Sequence, residues 1–305
     1  MNLSLILFRA PSANAIRRLC GCVTLLAIVA IPELSWAQEK SLLWRVKSGQ
    51  NAIYVLGSIH FLKKENYPLN KNIEEAFAKS KKLVLEIDLQ TTDREKALQV
   101  TMQKAVNRDG STLQQNVSEE TYALVERQTR ELGLDLRPLS PFKPWYVALT
   151  LSALKLQKLG LDPNYGVDRY LAERAKNSGK AIAGLETFEF QMGLFDELSP
   201  RDQELMLRQT IQEMDSFEKS AGQIVQAWGK GDSASLEESL LASMREYPDL
   251  YQRLVVDRNR RWLPQIKKMV EQGESVLIAV GAAHLVGKDG IIELLKQQGY
   301  TVEQL

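Results

Sequence analysis

From residue 42 onward, short alternating or apolar runs mark strands, and longer stretches with a repeat near four residues mark helices. Residues 42–47 and 52–57 read as two strands joined by a hairpin turn at Gly49-Gln50-Asn51. A loop containing Pro68 follows, then a helix over about 71–80 and a strand over 83–89. In that strand Leu83, Leu85, Ile87 and Leu89 share one face, and Val84, Glu86 and Asp88 share the other.

The middle of the chain is helical. Thr92-Asp93-Arg94-Glu95 has the form of a capping box for a helix reaching about Asn107. Ser118 caps the next, which stops near Gly133. Pro144 opens a strongly apolar helix over 145–159, whose narrow polar face predicts burial on most sides. Asp162-Pro163 begins another, ending near Gly179, and a short strand at 181–185 runs into Glu186. Ser199-Pro200-Arg201-Asp202 opens a further helix, and two more follow, ending around Gly229 to Gly231 and at Gly273, the last with a kink expected at Pro264. Residues 275–280 form an almost unbroken apolar run, as in a strand covered on both faces. A helix over 290–298 and a strand over 300–304 close the chain.

A faint internal repeat organises these elements. Strand, Gly-x-x-His, helix, strand with a glutamate occurs at Gly57 to Glu86 and again at Gly281 to Glu303. The predicted fold class is α/β (mixed α+β), with a central mixed sheet built from two βαβ-like units and a large helical insertion between them.

The segment ahead of these elements has a different character. Residues 1–18 carry Arg9, Arg17 and Arg18 and no acid, residues 19–31 are apolar, and Ser35-Trp36-Ala37 places small residues where a signal peptidase reads. The apolar run is shorter than the roughly 20 residues a membrane span needs. We expect an export signal cleaved after Ala37, an uncleaved anchor being the alternative, and a single periplasmic or secreted domain over 38–305. No later stretch is apolar for long enough to span a bilayer. Subtracting the leader's three arginines and one glutamate from totals of 39 and 38 leaves 36 basic and 37 acidic residues. So even a balance argues against a nucleic-acid or anionic-membrane partner. Both cysteines, Cys20 and Cys22, fall in the leader, so the mature chain has no disulfide, thiolate nucleophile or cysteine zinc site.

Candidate chemistry centres on the only two histidines, His60 and His284, each following an apolar strand in a Gly-x-x-His turn. The carboxyl ends of such strands are where open α/β sheets place ligands, and glycine there lets the chain turn sharply or approach a ligand closely. Glu86 and Glu186 are candidate companions. The alternative for Glu86 is a solvent-facing strand position, and for Glu186 an acid at a helix start. Asp88, Glu189 and Gln191 are nearby polar candidates with weaker claims, and Glu303 is the repeat's counterpart of Glu86. Two imidazoles with carboxylates suit Mn²⁺, Co²⁺, Fe²⁺ or Zn²⁺, with metal-bound water attacking a carbonyl and a free glutamate as base. Neither histidine begins His-Glu-x-x-His, and no phosphate loop, dinucleotide fingerprint or Gly-x-Ser-x-Gly elbow is present. In Arg258-Asn259-Arg260-Arg261-Trp262, one or two side chains at most can face a site, the alternative being a solvated basic helix face.

Taken in order, several motifs resemble the TraB/GumN family, which is related to the Tiki proteases that trim Wnt proteins. They are Gly57-Ser58-Ile59-His60, Leu85-Glu86-Ile87-Asp88, Lys143-Pro144-Trp145, Gly166-Val167-Asp168, Gly184-Leu185-Glu186-Thr187 with Gln191, Arg258-Asn259, and Gly281-Ala282-Ala283-His284-Leu285-Val286-Gly287. The resemblance implies a mixed α/β core in which both Gly-x-x-His motifs and the glutamates meet. It also implies a divalent-metal-dependent, protease-like activity with Mn²⁺ or Co²⁺ favoured. By that analogy His60, His284, Glu86 and Glu186 are the metal site, and Arg258 contacts the substrate or transition state. The expected function is therefore an exported metal-dependent hydrolase acting on peptide or protein substrates. The alternatives are a metal-free His/Glu hydrolase of esters or amides and a non-catalytic peptide-binding or regulatory protein.

Overall fold

The computed structural model describes residues 40–88 and 94–305. The expected leader, its cleavage site and the first half of the Thr92–Glu95 capping box lie outside the described residues.

The hairpin forms as its turn predicts: β1 (Leu43–Ser48) and β2 (Asn51–Ser58) pair antiparallel, with Ser48 opposite Asn51. A helix α1 (Lys71–Lys79), capped where the Asn70 side chain accepts from the Asn72 N–H, crosses to β3 (Lys82–Ile87). β3 ends at Ile87 and Asp88 is not part of it, while Leu89, the last residue of the expected strand, lies outside the described residues. Both faces of β3 are covered from Leu83 to Glu86. Glu86 is thus buried, and the solvent-facing alternative falls away.

The helical insertion follows as α2 (Arg94–Ala105), α3 (Glu119–Leu132), α4 (Pro144–Lys158) and α5 (Val167–Asn177). Strand β4 (Ala181–Glu186) returns to the sheet before α6 (Phe188–Asp196), α7 (Pro200–Glu213), α8 (Phe217–Gly229) and α9 (Ser233–Arg245). A short α10 (Pro248–Tyr251) passes through a π turn, Gln252–Val256, into α11 (Asp257–Glu271), which continues through Pro264. Then come β5 (Val276–Gly281), a 3-10 turn (Ala282–His284), α12 (Ile291–Gln297) and β6 (Thr301–Gln304). Among the described residues no helix is long and apolar enough to cross a membrane.

The strands form one mixed sheet in the order β4-β3-β5-β2-β1-β6. The apolar run Val276–Val280 is fully buried because β5 is paired on both sides, with β2 and β3, and both pairings are parallel. Both expected βαβ-like units, β2–α1–β3 and β5–α12–β6, therefore feed one sheet. β6 pairs instead with β1 at the far edge, where Glu303 bonds Arg45 at 2.6 Å. The repeat's second glutamate is consequently a surface ion-pair residue remote from β3.

One hydrophobic cluster surrounds the sheet, and a second holds the insertion through Leu113, Val125, Val147, Leu151, Leu207 and Ile211. α4 is buried only over its first two turns, at Pro144, Trp145, Val147, Ala148 and Leu151. Its remaining apolar residues include Leu149 and Leu156, which line a cleft. The helix expected from Asp162 is split: Pro163–Tyr165 is a 3-10 turn, and α5 starts afresh at Val167.

Candidate active site

Four parallel strands reach one edge of the sheet with their carboxyl ends, and each brings a residue to it. β2 leads into His60, β5 leads into His284, β3 carries Glu86 and β4 ends at Glu186. The register sets Ser58 opposite Gly281 and Ile87 opposite Glu186, which levels these ends. His60, Glu86, His284 and Arg258 of α11 line a cleft of about 500 Å³. Glu186 sits behind Arg258.

The glycines of the two Gly-x-x-His turns serve for room rather than for a sharp turn. Gly57 and Gly281 are not among the glycines with positive φ; Gly281 has φ −50°. A Cβ on Gly281 would lie 3.1 Å from Glu86 Oε1, 3.6 Å from His60 Nε2 and 3.7 Å from His284 Cδ2. Only the first is tighter than ordinary contact, so the glycine makes room chiefly for Glu86. The first turn is fixed from outside: the buried Trp228 indole donates to Gly57 O at 2.7 Å, and the Val167 N–H donates to Ile59 O at 2.9 Å.

Asp168, on the first turn of α5, belongs to the site although nothing in its local sequence marks it as a partner of His60. Its carboxylate accepts from His60 Nδ1 at 2.7 Å and from Ser58 Oγ at 2.6 Å, which turns His60 Nε2 toward the cleft. The same carboxylate raises the His60 pKa to about 9, burial acting against it. The ring is 58% exposed, so solvent screens part of that pairing. α5 can approach so closely because of Gly166, where a Cβ would meet His60 O at 2.4 Å. Gly166→Ala is therefore expected to cost about 1–3 kcal/mol in urea denaturation and to loosen the His60–Asp168 pair. A stability equal to that of the unmodified chain would show that the two loops separate freely.

Arg258 is the centre of the buried half of the site and only 7% exposed. Nε donates to Glu186 at 3.1 Å, Nη2 to Glu186 Oε1 at 2.7 Å and to Glu86 Oε2, and Nη1 to Leu254 O at 3.2 Å and His284 Nε2 at 2.9 Å. Those contacts engage all five guanidinium protons. The role implied by resemblance, a direct contact to substrate, would need a donor that Arg258 does not have free; it acts here as a positioning residue. The π turn preceding it supplies the Leu254 carbonyl, and the guanidinium also lies 4.6 Å from the centre of the Trp262 ring. Three residues of the basic cluster face inward, Arg258, Asn259 and Trp262, rather than one or two, while Arg260 and Arg261 are exposed.

His284 has a defined tautomer. Asn259 Nδ2 donates to the carbonyls of His284 and Asp289, so its Oδ1 must accept from His284 Nδ1 at 2.7 Å. Nε2 is then the acceptor for Arg258. Burial lowers the His284 pKa to about 3. Burial works against the charge of Glu86, but in acid, where His284 is itself protonated, the charges of His284, Arg258 and His60 and the Gly281 N–H outweigh it and lower its pKa to about 2. We take the resting pair as an ionised Glu86 beside a neutral His284, because Nε2 accepts from the cation both share. Burial raises the Glu186 carboxyl, with Arg258 opposing. Gln191 donates to both glutamates, at 3.1 and 3.3 Å, and the Trp262 indole donates to Glu186 at 3.1 Å. Asp88 and Glu189 face a separate groove along β4, where Glu189 pairs with Lys96 at 3.3 Å.

His60, His284, Glu86 and Glu186 are thus brought to one site, but not as a ready metal-binding set. Among the described residues no group of three His, Cys, Asp or Glu side chains is arranged to hold a metal ion. The space such an ion would need between the two carboxylates and His284 Nε2 is filled by the Arg258 guanidinium. The donor set as it stands does not fit the divalent metal that the resemblance implies.

Comparison with known proteins places the chain. It is 26% identical to the uncharacterized protein YbaP of Escherichia coli K12 over 248 residues, covering 81% of this chain and 89% of YbaP. An uncharacterized protein of Treponema pallidum is 21% identical over 91% of this chain and 86% of its own length. The metalloprotease TIKI homolog of Amphimedon queenslandica is 23% identical over 53% of this chain and 37% of that protein. No solved structure matches the chain. The model of the TraB/PrgY/gumN family matches residues 42–304, from the first strand to the last, and the chain belongs to that family.

Proposed function

We propose that this protein is an exported hydrolase that cleaves peptide bonds in peptide or protein substrates. The observation that carries the reading is the convergence of both Gly-x-x-His turns with Glu86 at one cleft, with Glu186 joined to Glu86 behind it through Arg258. The distant likeness to a protein named as a metalloprotease supports it, and the leader supports export to the periplasm or beyond.

In this reading His60 is the group that takes and returns a proton. Asp168 holds Nδ1 and raises the His60 pKa to about 9. It is therefore the neutral fraction of His60, growing as the pH rises toward that value, that presents Nε2 to a water in the cleft, accepts its proton during attack on the carbonyl, and passes it to the leaving amine. Glu86 Oε1, held by the Gly281 N–H at 2.8 Å, faces the same space; with its low pKa it orients the water rather than storing the proton. The opposite wall is apolar, with Leu149, Leu156, Met192, Phe195, Ile224 and Leu240, and favours apolar side chains beside the scissile bond.

Cleavage of a peptide library by the mature protein tests this, with and without added Mn²⁺ or Co²⁺. His60→Ala is expected to lower the rate about 10²–10⁴-fold, with apolar residues enriched around the cut. Cleavage that survives His60→Ala would refute the assignment. Peptide affinity without cleavage under any metal would identify a binding protein instead.

A further inference from the structure

We propose that Arg258 is the built-in cation of this site, holding Glu86, Glu186 and His284 in the place that a divalent metal ion would otherwise take. The inference deepens the hydrolase reading and rests on this cleft being the reactive centre, yet ion binding can be measured apart from turnover.

The occupancy of each donor atom carries the proposal. Glu86 Oε2, Glu186 Oε1 and His284 Nε2 all accept from Arg258. Glu86 Oε1 accepts from the Gly281 N–H, and Glu186 Oε2 from the Trp262 indole at 3.1 Å. His284 Nδ1 and His60 Nδ1 are committed to Asn259 and Asp168. Of the expected ligands, only His60 Nε2 is left without a hydrogen-bond partner among the described residues. Glu86 Oε1 keeps a second lone pair beside its bond from Gly281, but one imidazole nitrogen and one carboxylate oxygen still fall short of the three or more protein donors that stable sites for these ions need.

Two buried carboxylates face one buried guanidinium, and burial raises the pKa of the Glu186 carboxyl, which eases the excess of negative charge; His60 with Asp168 forms a separate pair at the cleft mouth. A divalent ion would have to displace Arg258, leaving a buried guanidinium without its bonds to both carboxylates and His284, beside the Trp262 ring. The shape of the guanidinium fits this place, because its planar fork of donors binds two carboxylates and an imidazole at once, a geometry that lysine cannot reproduce.

The experiment is a titration of the metal-stripped mature protein with CoCl₂ and MnCl₂, followed by calorimetry and by the visible absorbance of protein-bound Co²⁺. The unmodified protein is expected to show no saturable one-to-one binding and no imidazole–carboxylate Co²⁺ spectrum, and any cleavage activity should persist in chelator. Arg258→Met frees the carboxylates and His284, and should bind Co²⁺ at least about tenfold more tightly than the unmodified protein. One equivalent of Co²⁺ bound by the unmodified protein, and lost in both Glu86→Gln and His284→Ala, would overturn the proposal. So would equal Co²⁺ affinity with and without Arg258. If Arg258→Met does not fold, the titration of the unmodified protein decides. An absence of cleavage with an absence of metal binding would fault the hydrolase reading and leave the role of Arg258 standing.

Discussion

Exchange of Arg258 for methionine should lower the free energy of unfolding at neutral pH by about 3–5 kcal/mol, a large share of the stability of a domain this size. The cause is what remains behind. Glu86 and Glu186 are buried on neighbouring strands, with side chains 9% and 2% exposed, and without the guanidinium they face each other as two uncompensated carboxylates. Adding Glu86→Gln and Glu186→Gln to Arg258→Met should recover much of the loss, because it removes the charges along with their partner. Urea denaturation of the unmodified protein, Arg258→Met and the triple variant makes the comparison. A cost below about 1 kcal/mol for Arg258→Met would mean that the network behaves like an exposed ion pair, and the buried account would be wrong.

The second large effect concerns pH, and the two histidines act in opposite directions. His284 has a folded pKa of about 3 against an ordinary 6.5, so between those values the unfolded chain takes a proton that the folded chain refuses. Stability is then present above pH 6.5 and falls as pH drops below it, by up to roughly 1.4 kcal/mol per pH unit from this one group. Glu86, held at about 2, adds to the same acid limb once the pH passes below 4.5. His60 does the reverse: with a folded value near 9, the stability it contributes is complete below 6.5 and is lost as pH rises toward 9. That alkaline limb is the shallower, since solvent screens the half-exposed ring. Because the chain has two histidines only, a ring-nitrogen NMR titration resolves both directly. One ring should titrate well above 6.5 and the other should stay neutral down to the onset of acid unfolding. Two rings titrating together near 6.5 would contradict the whole electrostatic picture.

Much of the sheet was legible because its signals are local. The hairpin declares itself through Gly49-Gln50-Asn51, and β5 through an apolar run that only a strand covered on both faces would tolerate. The insertion was harder to read. α6 is apolar around most of its circumference and contains Gly193, so no amphipathic period announces it. The stretch from Asp232 to Gly273 divides into α9 and the α10–α11 pair at Tyr247-Pro248, a stop that the helical pattern on either side conceals. The break at Gly166 follows from the approach of the His60 loop, a contact made across about 100 residues and invisible to any local rule.

The site divides along the same line. His60 and His284 stood out because a motif was repeated, Glu86 because it is a carboxylate within a strand on the face opposite the Leu/Ile row, and Glu186 because it ends a strand. The repeat then misled at Glu303, since the second unit closes on β1 rather than beside β3. Asp168 and Asn259, which fix the two imidazoles, carried no signal beyond their place in the family motifs. An acid or amide that orients a histidine is chosen by tertiary distance, and sequence spacing does not encode it.

The position of β5 in the sheet has a consequence for how the molecule comes into being. It is synthesised after β1 to β4, yet it lies between β2 and β3, which do not pair with each other. Until residues 276–281 arrive, the hairpin and the β3–β4 pair are separate fragments with open inner edges, and neither histidine has its glutamate. Assembly of the fold and assembly of the chemistry are therefore a single late event. A chain halted before β5 would expose two unpaired strand edges, and a chain kept extended until β5 is complete would avoid that state altogether.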